Sequence, residues 1–273
     1  MSRKNLYQLL DEMNFDVRKE HQTLLDLFMK EKVFDGSSHK TLLQYVSLYF
    51  RSLPFRGSYI NIEDLMKSLR IIDSVPTLDR LFLLCEFLIA VLPNKYLHGK
   101  YIIEHVDVIF SNIDYILEKT NHMFLELEDS KYIIVEKNKA ATQAAELIEE
   151  TPVSIEVLEY NHYALKGNLT RKRQILNDIA NYVEPILKSR KFQETPYNQI
   201  AKNVGFLLNC FHVRHNNKEG IKAQEYIVGL SDSDLEEWYD KIYNSMLTVI
   251  IVDEQISIDA ELNDLKQKYH WKT

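Results

Sequence analysis

Glycine and proline are scarce in this chain, seven and six among 273 residues. Few tight turns are therefore available, which favours long helices over many short strands. Cysteine is nearly absent. Cys85 and Cys210 both sit inside apolar helical runs, so they read as buried free thiols of a reducing compartment rather than as disulfide partners. No metal-binding cysteine spacing exists. A long apolar run is also missing. The most apolar stretch, Leu81 to Leu92, is about a dozen residues long and contains Glu86, too short to cross a membrane. The start, Met1-Ser2-Arg3-Lys4-Asn5, leads into an amphipathic run rather than the apolar core of a signal peptide. The expected setting is cytoplasmic, with no membrane partner. There is no Gly-rich phosphate loop, no dinucleotide fingerprint and no Gly-x-Ser-x-Gly elbow. Thirty-three basic against forty acidic residues give a net charge of −7. That balance argues against broad non-specific nucleic-acid binding and leaves room for a local basic groove.

What is present is enough apolar material, 45% of residues, to bury a core without disulfides. Helical periodicity runs through most of the chain. Leu78 to Leu92 is apolar nearly all round and reads as a central buried helix. Ile102, Val106, Ile109, Ile113 and Ile116 form the stripe of a helix from about Leu97 to Glu118. The period changes at Met123 to Val135, where aromatic and β-branched residues flank Glu128-Asp129-Ser130-Lys131 and predict a β-hairpin. Lys139 to Glu150 is an Ala-rich helix ended by Thr151-Pro152. Beyond it, Ile155, Leu158, His162 and Leu165 form a stripe. Helices follow over Thr170 to Ser189, with Pro185 inside, and over Asn198 to His215. Ser231-Asp232-Ser233-Asp234 caps a helix over Leu235 to Val252, and a polar helix over Ile256 to His270 completes the bundle. The predicted fold is mainly α: an N-terminal helical domain (1–120), a hairpin with its connecting helix (121–150) and a C-terminal helical bundle (151–273).

One stretch breaks its own pattern with groups that can do chemistry. Ile200, Val204, Leu207, Leu208 and Phe211 follow one helix face; continuing that wheel puts Arg214 and His215 where Leu or Val belongs. A buried charge is costly unless it is paired or serves a site. The competing reading is plain helix capping, because cations near a helix C-terminus favour the macrodipole. Asn216-Asn217-Lys218-Glu219-Gly220 then ends the helix. His212 and His215 stand three apart with Glu219 as the one further ligand type nearby. Metal ligands come in sets of three or four, so no metal and no cofactor is expected. His162 reads as an interface histidine, Lys172 and Arg173 as a solvated helix face, and Trp238 and Tyr239 as core.

Phe211-His212-Val213-Arg214-His215-Asn216-Asn217 at a helix end resembles the Arg-polar motif of the HEPN superfamily. Asn161-His162-Tyr163-x-Leu165-Lys166-Gly167, Lys172-Arg173-x-Ile175-Leu176 and Glu236-Glu237-Trp238-Tyr239 are similar, in that order, to an abortive-infection-type bacterial family. The resemblance spans about Val153 to Lys268. It implies a HEPN-like bundle and a metal-independent ribonuclease of a phage-defence or toxin–antitoxin system. RNA would be the substrate, with an antitoxin or other defence protein as a further partner. It implies a homodimer with the helix end near His215 at the two-fold axis. Arg214 and His215 would be catalytic, with Asn216, Asn217, His162 and His212 binding substrate. The superfamily places a histidine four to six positions after the arginine. Here Lys218, Glu219 and Gly220 stand in that region. Either His215 or His162 takes that role, or the domain is an inactive dimerisation or partner-binding module.

Overall fold

The computed structural model describes residues 15–269 except 35, 37, 73–74, 93–99, 129–130, 150 and 216–224. The chain is mainly helical with two small antiparallel strand pairs, as its periodicity predicts. It divides into two compact units, Met1–Ile134 and Val135–Thr273.

In the first unit α1 (Val17–Met29) starts at Asp16, whose carboxylate accepts the Arg18 N–H at 2.9 Å. A strand pair not foreseen in the sequence follows. β1 (Lys32–Phe34) and β2 (His39–Thr41) pair antiparallel, with Val33 opposite Lys40. Thr41 ends β2 and caps α2 (Leu42–Tyr49) through a reciprocal bond set with Gln44. After α3 (Ile62–Ser68), α4 (Leu78–Val91) buries Leu81, Phe82, Leu84, Cys85, Phe87, Leu88 and Val91. The acidic residue inside its apolar run has a use: Glu86 accepts the backbone N–H of Ile134 at 2.7 Å. α5 (Lys100–Lys119) buries the stripe of four isoleucines and Val106 read from the sequence. The hairpin is β3 (His122–Leu127) with β4 (Lys131–Glu136).

The second unit is a helical bundle. α6 (Lys139–Leu147) turns the small Ala141 and Ala144 onto the longest helix, which permits close approach. Thr151-Pro152 opens the next helix rather than closing this one: α7 spans Thr151–Glu159. Proline suits that first turn, where its missing N–H has no partner to lose. His162 and Leu165 do not continue α7. His162 bridges Val135 in an isolated β-bridge, and Tyr163–Leu165 is a 3-10 turn. α8 (Leu169–Lys188) contains Pro185 and buries Ile175, Leu176, Ile179, Ala180, Val183 and Leu187. α9 (Arg190–Gln193), α10 (Asn198–Cys210) and α11 (Glu225–Val228) follow. The two helices expected at the C-terminus are one, α12 (Asp232–Lys268), started by Ser231, whose hydroxyl accepts the Asp234 N–H at 3.1 Å. α12 packs on α6, α8 and α10 through Tyr239, Ile242, Tyr243, Met246 and Val249.

Lys172 overturns its sequence reading as a solvated residue. It is buried, and its Nζ lies 2.7 Å from Asp240 Oδ1, 3.0 Å from Glu236 Oε1 and 5.0 Å over the Tyr160 ring. The Tyr160 hydroxyl donates to the same Asp240 oxygen at 2.9 Å, and its ring stacks on Tyr243 at 4.1 Å. Burial, then the Asp240 charge, pushes the Tyr160 phenol far above its ordinary range, so it stays a donor. The Tyr243 hydroxyl donates to Val157 O at 2.6 Å and accepts from Asn161 Nδ2 at 2.8 Å. This network ties α7, the turn after it, α8 and α12 into one body. Lys172→Ala leaves Asp240 and Glu236 beside a buried phenol with no cation. The expected loss is about 2–4 kcal/mol, reduced from the fully buried case because Asp240 is half-exposed. Urea unfolding of the variant checks it, with Lys172→Met losing less than Lys172→Ala because the methionine fills the volume.

Candidate functional site

The site is a cleft of about 750 Å³ in the second unit. One wall is the outward face of α8: Thr170, Arg173, Gln174, Asn177 and Asp178, opposite the apolar stripe by helix geometry. The second wall is the turn after α10, carrying His212, Val213 and Arg214. The start of α12 supplies Asp232, Leu235 and Tyr239, and Gly167-Asn168-Leu169 closes one end. Gly167 holds a φ of +78° there, a conformation glycine adopts without strain.

The turn after α10 departs from the sequence reading. The helix ends at Cys210, not at His215. Phe211 is its C-cap, and His212 takes a left-handed φ of +61° in the place where glycine normally ends a helix. Two anchors hold this turn. Phe211 is buried and stacks on Trp238 at 4.3 Å; Val213 is also buried. The alternate residues, His212 and Arg214, then fall on the cleft side. The Arg214 N–H reaches back to Leu208 O at 3.4 Å, and Arg173 Nε donates to the His212 carbonyl. Arg173 is thus a cleft residue that grips the turn, not a solvated one. A carbonyl only accepts, so the 2.9 Å contact between His212 Nδ1 and His215 O puts a proton on Nδ1. In the neutral ring Nε2 is then the basic nitrogen.

Arg214 does not lie on the continued helix face, yet it is largely covered, with a side-chain exposure of 18%. Its Nε and Nη2 are buried with no hydrogen-bond partner among the described residues. Nη2 lies 3.5 Å from Glu184 Oε2, close enough for attraction but too far for a good hydrogen bond. Glu184 is also bound by Lys188 at 2.6 Å, and that bond, helped by Arg214, holds its carboxyl below the usual range against some burial. Among the described residues the guanidinium is therefore underpaired.

The expected site residues are only partly brought together. His212 and Arg214 line the cleft. His215 is exposed, is not among the lining residues, and contributes its carbonyl to His212. His162 is half-buried against the Tyr163 ring at 4.6 Å and does not line the cleft. Asn216 and Asn217 lie outside the described residues. No cluster of metal-ligating side chains occurs among the described residues. Trp238 and Tyr239 are core, as read, although Tyr239 also borders the cleft, where burial pushes its phenol up to about 12.

Sequence reasoning missed an acidic group behind the cleft. Asp178 lines it and also borders a second hollow with Glu156. Burial, then the neighbouring Asp178 charge, pushes the Glu156 carboxyl up to about 7, against the attraction of Arg171, whose guanidinium pairs mainly with Glu159 at 2.7 and 2.9 Å. Nothing in the local sequence signals this, because Glu156 and Asp178 belong to different helices. Comparison with family models, curated proteins and solved structures returns no match for this chain.

A carboxyl raised from 4.5 to about 7 on folding binds more protons in the native state. Its contribution to stability is full below pH 4.5 and lost as pH rises to about 7. Glu156→Gln cannot ionise, so its stability relative to the parent improves between pH 5 and pH 8, by roughly 1–2 kcal/mol after solvent screening. Denaturant melts at both pH values check the sign.

Proposed function

We propose that the cleft binds the phosphate backbone of RNA and that the protein is a metal-independent ribonuclease. One observation carries this reading: a largely covered Arg214, with donors unpaired among the described residues, in the wall of an open cleft that also holds Arg173. Two guanidinium groups in one cleft suit a phosphodiester, which arginine binds through paired N–H donors and whose growing charge it offsets. The chain's net charge of −7 confines such attraction to this groove.

Cleavage requires the 2′-oxygen to attack the adjacent phosphorus, forming a cyclic phosphate as the bond to the 5′-oxygen breaks. His212 is placed to accept the 2′-hydroxyl proton at Nε2, since His215 O fixes the proton on Nδ1. The leaving 5′-oxygen takes its proton from water in the open cleft. The role in phage defence or as a toxin rests on the HEPN resemblance of the second unit. A non-catalytic binding module is the second reading, favoured by the exposed position of His215 and by Lys218, Glu219 and Gly220 standing in the region of the superfamily histidine.

The test uses a single-stranded RNA oligonucleotide in chelator. Arg214→Ala is expected to weaken binding at least roughly tenfold and to lower its salt dependence. His212→Ala is expected to keep binding and lose cleavage by about a hundredfold or more. RNA bound but not cleaved by the parent protein selects the binding module. Arg214→Ala that binds RNA as the parent does overturns the assignment of the cleft.

A further inference from the structure

α12 outlasts the bundle that it organises. Its last buried residue is Ile256, and the last side-chain tie to the bundle among the described residues is Lys191 Nζ to Ser257 Oγ at 2.5 Å. The helix then continues to Lys268 with every residue from Ile258 onward exposed. That free segment is not uniformly polar. Ile258, Leu262, Leu265 and Tyr269 are 39, 44, 51 and 70% exposed and follow one another at spacings of four, three and four. This is the seam of a coiled coil, and a lone solvated helix has no use for it.

We propose that α12 beyond Ser257 pairs antiparallel with the same segment of a second copy of this chain. The charges select both the occupant and its direction. The flanks of the seam are acidic at one end, Asp259 and Glu261, and basic at the other, Lys266 and Lys268. Reversing a second copy sets Leu262 against Leu265 and Ile258 against Tyr269, four layers in all with the symmetric pairs. In that same register Asp259 faces Lys266 on one flank and Glu261 faces Lys268 on the other, each twice, so all four flanking contacts attract. A parallel pair keeps Glu261 beside Lys266 but sets Glu254 beside Asp259, so attraction and repulsion cancel. Antiparallel pairing also places each copy's bundle beyond the other's seam. Four layers make a small interface, so the dimer is weak and concentration-dependent. This surface is on a different helix from the one the HEPN resemblance implies, and the pairing holds whether or not the cleft cleaves RNA.

The experiment uses the full chain in low salt, by sedimentation equilibrium up to roughly 100 µM, a range suited to weak association. The expected result is a reversible monomer–dimer equilibrium. Leu262→Lys with Leu265→Lys, both at exposed positions, should weaken it at least roughly tenfold with unchanged helical circular dichroism. Lys266→Glu with Lys268→Glu should weaken it, and adding Asp259→Lys with Glu261→Lys should restore it. Direction is read by oxidising an equal mixture of Leu262→Cys and Leu265→Cys proteins carrying Cys210→Ser. Mixed disulfides are expected to dominate. A parent that stays monomeric, a dimer indifferent to Leu262→Lys with Leu265→Lys, a swapped-charge variant that fails to recover, or disulfides chiefly between identical variants overturns the proposal.

Discussion

The second unit depends on one buried cation. Lys172 has given up water, and three residues replace it: Asp240 and Glu236 on α12, and the Tyr160 ring after α7. Removing a charge from water costs several kcal/mol, so this arrangement holds only while all its partners are present together. It therefore sets the rotation of α8 about its own axis. With Lys172 turned inward, the next residue, Arg173, falls on the cleft, and the polar row from Thr170 to Asn177 follows it. Glu236 does double duty by accepting the Gly167 N–H at 2.8 Å, which fixes the end of the cleft to the same knot.

A second constraint shapes the facing wall. The chain leaves α10 without a glycine, and His212 carries the left-handed turn instead, a conformation that costs roughly 1–2 kcal/mol for an L-residue. Phe211 against Trp238 and the buried Val213 offset that cost by apolar burial. The strained residue is thus held from both sides, and its ring and the following guanidinium face the cleft. Core packing on either side of the turn positions cation and imidazole, and the His215 carbonyl orients the ring.

The apolar stripes of α5 and α8 were legible because period and burial coincide there. The end of α10 was not. Phe211 and Arg214 continue the helical wheel, and the turn that diverts them is made by a histidine, which carries no stop signal. The unity of α12 was hidden for the opposite reason. Asp253-Glu254-Gln255 looks like a connection, but it marks where a helix passes from burial into solvent. Lys172 was misjudged because its two carboxylate partners stand more than sixty residues away, beyond any local pattern. For the cleft, Arg214 and His212 were visible as charges out of place. Arg173, Asp178 and Glu156 looked like ordinary polar-face residues until the fold brought their helices together.

α12 is about 55 Å long at the usual rise per residue, and it is held very unevenly. Its buried part is gripped by side chains from the other helices of the bundle, while in a single copy its last three turns rest on their own hydrogen-bond ladder. An isolated helical stretch of that length is marginal in water. Local opening therefore begins at Lys268 and runs inward until it meets Ile256, where further melting would break the core. Asp232, Leu235 and Tyr239, which border the cleft, sit at the far end of the same helix. The free end can fray and re-form many times without disturbing that wall.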